Sequence, residues 1–196
     1  MMATRWIVTG TLLFTALFLN GCVPVVVVGG AAATASLVHD RRTTGSIVED
    51  EAIELRVINA LSKEKELSQQ SHINVTSYNY TVLLTGETPT EAFRKRAGEL
   101  ARAQEKVRRV HNELVIAAPS SMMTRSSDSL ITTRVKSALF KVKVEGFDPS
   151  RVKVVTENGT VYLMGLLYHR EAGAVTEQAR QVSGVQRIVT LYQYQD

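Results

Sequence analysis

Arg56-Val57-Ile58-Asn59-Ala60-Leu61 and Arg134-Val135-Lys136-Ser137-Ala138-Leu139 are one phrase written twice, 78 residues apart (56 against 134). Three further blocks follow in the same order. Ile73-Asn74-Val75-Thr76 aligns with Val152-Lys153-Val154-Val155, and Val82-Leu83-Leu84-Thr85-Gly86 with Val161-Tyr162-Leu163-Met164-Gly165. Val107-Arg108-Arg109-Val110 aligns with Val185-Gln186-Arg187-Ile188. Four blocks in one order define a duplication. Two copies of about 70 residues make tandem domains, because a solenoid needs at least three units.

Each copy reads helix, strand, strand, helix, strand. In the second copy Ile131, Val135, Ala138, Leu139 and Val142 fall on one helical face, and Ile53, Val57, Ala60 and Leu61 repeat it in the first. Asn158-Gly159 joins two apolar runs and is a strong hairpin signal. Asn79-Tyr80 occupies the same place in the first copy. Tyrosine fits a left-handed turn poorly, so a wider or distorted turn is expected there. For the next helix of the first copy, Thr88 is expected as N-cap, with Pro89 at the first helical position and Glu91 closing a capping box. Phe93, Ala97, Leu100 and Ala101 give that helix its buried stripe. The second copy shows no comparable cap before Arg170-Glu171, but Ala172, Val175, Ala179 and Val182 keep the stripe. Gly184 suits a left-handed helix exit. Lys106 stands there in the first copy, so a different exit is expected. Last strands are expected at about 107–116 and 185–194. A short strand–helix–strand unit favours a parallel crossover. The fold class is therefore α+β: two tandem αββαβ domains, each a small mixed three-stranded sheet with two helices on one face.

The chain start adds an address. An apolar run from Trp6 to Leu19 follows Arg5 and leads into Leu19-Asn20-Gly21-Cys22, which holds the only cysteine. The run is short of the roughly 20 apolar residues of a membrane span, so 1–21 reads as a signal peptide. The pattern is similar to a bacterial lipobox, with Cys22 lipidated; the alternative is an ordinary signal with an incidental cysteine. Val23 follows where lipoproteins retained in the inner membrane commonly carry aspartate, which implies the outer membrane, facing the periplasm. Residues 22–46 are a flexible tether of roughly 25–30 Å, residues 47–116 the first domain, 117–127 a polar linker and 128–196 the second domain. The net charge is +4, and loss of Arg5 leaves +3. For an exported chain that favours anionic lipid or an acidic protein over nucleic acid.

The repeated unit resembles the BON domain (bacterial OsmY and nodulation). The residues carrying the resemblance are Arg-Val-x-x-Ala-Leu at 56 and 134, the strand ending in Gly86 or Gly165, and Gly184-Val185-x-x-Ile188. A lipobox ahead of two such units resembles the dual-BON outer-membrane lipoproteins. The resemblance implies no catalysis, no cofactor, binding to anionic phospholipid (phosphatidylglycerol or cardiolipin), and a role in envelope integrity at division sites.

Charge separates the two copies. Glu49–Glu66 carries six acids and three bases, a net of −3, whereas Asp128–Glu145 carries two acids and the bases Arg134, Lys136, Lys141 and Lys143, a net of +2. Leu130 lies about 100° from the core position Ile131 and shares a stripe with Arg134, Ser137 and Lys141. An apolar tip backed by bases suits the boundary between headgroups and acyl chains. Leu130, Ile131, Arg134, Lys136, Ser137 and Lys141 are therefore the candidate phospholipid site. The other readings of Leu130 are a second core residue, the seam between domains, or plain surface.

No catalytic or metal pattern stands out. His39, His72, His111 and His169 are scattered, and no Gly-x-Ser-x-Gly, Walker or Gly-x-Gly-x-x-Gly sequence occurs. The rival function is a protein-interaction adaptor for envelope assembly, division or peptidoglycan remodelling. Arg94, Lys95, Arg96, Arg102, Arg108 and Arg109 form a basic cluster that either meets such a partner or simply solvates its face. Tyr192 and Tyr194 read as core or docking residues.

Overall fold

Both repeats fold as the duplicated pattern requires. The computed structural model describes residues 40–196; the signal peptide, Cys22 and the tether through residue 39 lie outside the described residues. The first domain runs α1 (Thr44–Lys63), α2 (Lys65–Gln70), β1 (His72–Tyr78), β2 (Thr81–Thr88), α3 (Glu91–Arg102), β3 (Arg109–Asn112) and β4 (Val115–Ile116). The second runs α4 (Met122–Leu139), a 3-10 turn (Pro149–Arg151), β5 (Val152–Glu157), β6 (Thr160–Leu167), α5 (His169–Arg180) and β7 (Arg187–Tyr194). In each sheet the central strand pairs antiparallel with its hairpin partner and parallel with the strand after the helix. The last strand of the first domain is broken. Asn112 turns its side-chain amide to the Arg94 carbonyl, and Leu114 drops into the core before β4 rejoins β2.

Several local expectations are corrected. The linker is shorter than 117–127, because Ser121 caps α4 by accepting from Thr124 N, and the helix starts at Met122. Thr43 caps α1 from within the segment expected to be tether. Thr88 belongs to β2; the N-cap of α3 is Thr90, which accepts from Phe93 N at 3.2 Å. Before α5, Glu171 reaches back to accept from Tyr168 N at 2.9 Å and supplies the cap that was not foreseen.

Asn79-Tyr80 makes the same left-handed pair as Asn158-Gly159, with φ of 48° and 64° against 47° and 69°. The cause is a buried aspartate one helix away. Asp50 accepts from Asn79 N at 2.6 Å and Tyr80 N at 2.8 Å, and Asp128 accepts from Asn158 N and Gly159 N at 2.9 Å each. The two aspartates stand 78 residues apart, so the clamp is itself part of the repeat. Lys106 likewise takes the left-handed conformation of Gly184 (φ 63° and 97°), and its ammonium meets Glu49 at 2.6 Å.

Each domain has a helix-side core. Ile53, Val57, Leu61, Val82, Leu84, Ala97 and Ala101 form one; Ile131, Val135, Leu139, Val161, Leu163, Val175 and Ala179 form the other. The alternate residues of the central strands build a third cluster. Tyr78 and Leu83 meet Tyr162 and Met164, flanked by Val155, Leu166, Val189 and Leu191. The central strands are thus covered on both faces, by helices on one side and by the other domain's sheet on the other. That explains why the apolar runs Val82-Leu83-Leu84 and Val161-Tyr162-Leu163-Met164 do not alternate with polar residues.

Candidate functional site

The outer face of α4 is open. Leu130 is 59% exposed, and Arg134, Ser137, Lys136 and Lys141 are exposed around it. Ile131, placed by the sequence both on the core face and in the candidate site, is 5% exposed and packs in the helix-side cluster, so it is a core residue and not a contact residue. Lys141 also moves. The helix ends at Leu139 with Phe140 as C-cap, and Lys141 follows in a turn, its N–H bonded to the Ala138 carbonyl. Among the described residues Arg134, Lys136, Lys141 and Lys143 form no ion pair.

Phe140, at 78% exposed, is a residue the sequence reasoning missed. Its signal was available: one step past Leu139 rotates it off the core face, to about 80° from Leu130 around the helix. Met122 and Met123 are exposed as well, at the helix start.

The acidity of α1 is largely cancelled from outside the helix. Glu49 pairs with Lys106 in addition to Arg56 of its own helix, Asp50 with Arg42, Glu54 with Lys153, and Glu64, at the helix end, with Arg96. The net of −3 counted along the sequence is therefore not the field that α1 presents. The basic cluster is partly spent in the same way: Arg94 pairs with Glu91, Arg96 with Glu64, and Arg108 stacks on Tyr80 at 4.3 Å.

Polar contacts fasten the seam between the domains. Tyr78 Oη donates to the Arg151 carbonyl at 3.0 Å and accepts from Leu166 N at 3.3 Å. Burial pushes that phenol up to about 12, with the Arg42 cation pulling the other way. Asn74 donates to Glu157 at 2.8 Å and Asn158 donates to Glu87 at 2.5 Å. Burial raises Glu157 above the ordinary carboxylate range, and the Glu87 charge adds to the shift, while Asn74, His72 and Thr85 oppose it. Asn79 donates to Gln193 at 2.6 Å.

Residues 40–42 cross this seam as a strap. Arg41 forks onto the buried Glu171 at 2.5 and 2.8 Å and lies over the Tyr168 ring at 4.4 Å. Arg42 pairs with Asp40 and Asp50 and lies over Tyr78 at 4.0 Å. Burial alone would raise Glu171, but the Arg41 fork, the Tyr168 N–H and the nearby Arg151 charge outweigh it and hold the carboxylate below its usual range. Such forks are among the stronger ion pairs.

Among the described residues no group of three or more His, Cys, Asp or Glu is placed to hold a metal, and no helix is long and apolar enough to cross a membrane. Tyr192 packs at the edge of the second core with its hydroxyl 3.0 Å from that of Thr176, and half-exposed Tyr194 stacks on His169 at 3.8 Å.

Comparison with known proteins gives one answer. The BON domain model matches residues 49–118 and again 127–196. The chain is 39% identical over 94% of both chains to the outer membrane lipoprotein DolP of Haemophilus influenzae. It is 39% identical to a 21 kDa hemolysin of Actinobacillus pleuropneumoniae, over 79% of each. A solved structure of CdsD, a structural protein of the type III secretion system of Chlamydia trachomatis, covers 71% of this chain and 90% of its own at 9% identity, but its TM-score of 0.30 is too low to add to the assignment. The chain therefore belongs to the BON-domain family, as a two-domain outer-membrane lipoprotein of the DolP family.

Proposed function

We propose that this chain, anchored through acyl groups on Cys22 and facing the periplasm, binds anionic phospholipid through the outer face of α4 and supports outer-membrane integrity at division sites without catalysing a reaction. The observation that carries the reading is a leucine held 59% in solvent, with unpaired bases around it, on a helix whose other side is fully engaged in a core. Each base near an anionic surface contributes about 1 kcal/mol. Arg134, Lys136 and Lys141 give about 3 kcal/mol, and burying Leu130 and Phe140 adds about 1–2 each. The sum corresponds to a Kd between about 0.2 mM and 10 μM. An anchored chain already sits at an effective concentration near millimolar, so this face need only select lipid composition.

The test uses the chain from residue 22 carrying Cys22→Ser, which has no acyl anchor. It should sediment with phosphatidylglycerol vesicles in a salt-sensitive manner, and Leu130→Glu should abolish that while leaving the circular dichroism unchanged. Unchanged sedimentation of a folded Leu130→Glu protein refutes the assignment.

A second reading, an envelope adaptor, is favoured by a different surface. Val48, Leu55 and Ile58 are exposed on the outer face of α1, with Leu55 at 62%. That reading requires the same protein to capture an envelope protein in the absence of lipid, and Leu55→Glu to release it.

A further inference from the structure

We propose that the free edge of β7, with the groove between that strand and α5, is a docking site for an extended segment of another protein, which joins the second sheet as a fourth strand. The site lies across the sheet from α4 and does not depend on how that helix is read.

The strand order of the second sheet is β5-β6-β7, and among the described residues no strand pairs with the outer side of β7. The ladder fixes which groups point outward. Arg187 N donates to the Gly159 carbonyl and Gln195 N to the Leu167 carbonyl, so odd-numbered residues turn their N–H toward β6. Ile188, Thr190 and Tyr192 therefore direct both N–H and C=O away from the sheet. Such a row repeats every two residues, about 6.8 Å, and an extended backbone matches it. Sheet edges are ordinarily closed by proline, charge or a bulge. Residues 188–194 hold no proline and no charged residue, and they pair with β6 in unbroken register. The first domain is the internal contrast. Its corresponding strand is split into β3 and β4, where Asn112 donates to the Arg94 carbonyl at 2.7 Å and Leu114 turns into the core.

The groove beside the edge has a volume of about 400 Å3, between Gly173 and Thr176 of α5 and Thr190, Tyr192 and Tyr194 of β7. A Cβ on Gly173 meets nothing within 4 Å, so the helix leaves room there. Thr190, Thr176 and Tyr192 offer hydroxyls to it, the last two 3.0 Å apart. On the other face of β7, half-buried Val189 and Leu191 continue the apolar cluster of the seam. A docked strand that alternates small polar residues toward α5 with β-branched residues beside Val189 and Leu191 satisfies both faces. Glu177 matches Arg180 at 3.0 Å, but among the described residues no carboxylate pairs with Arg187, so an acidic flank suits the end where β7 begins.

A second copy of this chain does not fit the edge. Thr132 of α4 bonds to Thr156 of β5, and Thr176 of α5 to Tyr192 of β7. Packed helices stand about 8–10 Å apart and three strands span about 10 Å, so α5 lies above β7 itself. Two β7 strands joined antiparallel put both α5 helices on one side of the sheet, about 5 Å apart, inside that packing distance. A lone strand brings no helix with it.

The probe is a capped peptide of alternating valine and threonine with glutamate at each end. It is titrated into the chain from residue 22 carrying Cys22→Ser, and backbone amide resonances are followed. Saturable shifts and slowed amide exchange are expected at Ile188, Thr190 and Tyr192, with exchange at Val189 and Leu191, already bonded to β6, unchanged. The same peptide N-methylated throughout should not bind. Thr190→Pro removes one outward N–H at a place where edge strands accept proline. It should leave the circular dichroism unchanged and weaken binding about ten-fold, the loss of one hydrogen bond of about 1.4 kcal/mol. Gly173→Leu keeps the strand intact, fills the groove and should also weaken binding, which carries the test if the proline variant does not fold. Absence of saturation, equal binding of the N-methylated peptide, or unchanged affinity in a folded variant overturns the proposal. A dimer in sedimentation equilibrium that Thr190→Pro abolishes overturns it in favour of a second copy at this edge.

Discussion

Asp50→Ala tests the claim that a buried aspartate holds each hairpin in its left-handed turn. The Asp50 carboxylate accepts four hydrogen bonds: Asn79 N at 2.6 Å, Tyr80 N, Ser77 Oγ at 2.8 Å, and Arg42 at 3.0 Å. Alanine leaves two backbone donors and one hydroxyl without an acceptor, at about 1–3 kcal/mol for each group that stays buried. Asn79 and Tyr80 are only half-buried and recover part of that from water, whereas Ser77 is buried. Tyr80 is strained at φ 64° with or without the carboxylate, so that strain cancels between parent and variant. Arg42 keeps Asp40. The sum is about 3–5 kcal/mol, a large share of the 5–15 kcal/mol typical of a domain. The second copy is the internal control: Asp128→Ala frees two donors where Asp50→Ala frees three, so its cost is about 2–3 kcal/mol. Urea unfolding followed by circular dichroism measures both. With a slope of about 2 kcal/mol per molar, Asp50→Ala should lower the midpoint by about 2 M and Asp128→Ala by about 1 M. A cost below about 1 kcal/mol for Asp50→Ala, or the reverse order, would refute the clamp.

Other expectations are shorter to state. Gly86→Ala should cost more than about 3 kcal/mol, because a Cβ there would sit 2.0 Å from the His72 carbonyl oxygen at φ 114°; a midpoint within 0.5 M of the parent contradicts this. Tyr78→Phe removes the hydroxyl that bonds Arg151 O and Leu166 N and should destabilise the seam by about 1–2 kcal/mol, read as faster hydrogen exchange at Leu166. Glu157 has a folded pKa raised by burial, so the folded state binds its proton more tightly than the unfolded chain. Stability should therefore rise as pH falls through the raised value toward the ordinary 4.5. Glu157→Gln should be more stable than the parent at pH 7 and should lose that rise; identical pH profiles of the urea midpoint would count against the burial argument.

What the sequence revealed and what it hid divide along physical lines. The duplication, the Ile131–Val135–Leu139 face and the Asn158-Gly159 hairpin depend on local periodicity, and all are legible in one dimension. Tyr80 misled because its left-handed backbone is held by a distant partner, Asp50; Lys106 takes the same conformation while its ammonium pairs with Glu49. The α1 charge misled because its neutralising bases, Lys106, Arg96 and Lys153, come from other elements. The seam left one sign that went unused: Tyr162 and Met164 are apolar at the positions where a strand with one solvated face would be polar. Ile131 does not belong to the candidate site, because its angle on the helix turns it inward, and Lys141, though exposed, follows the helix end and so lies off the helical stripe.

The strap at residues 40–42 decides where load enters the molecule. Any tension along the preceding chain meets the Arg41–Glu171 fork on the second domain before it reaches α1. A tug therefore pulls on α5 and hauls both domains along as one piece, where a simple chain order would have made the first domain peel away alone. Breaking the fork shifts the point of traction by one domain.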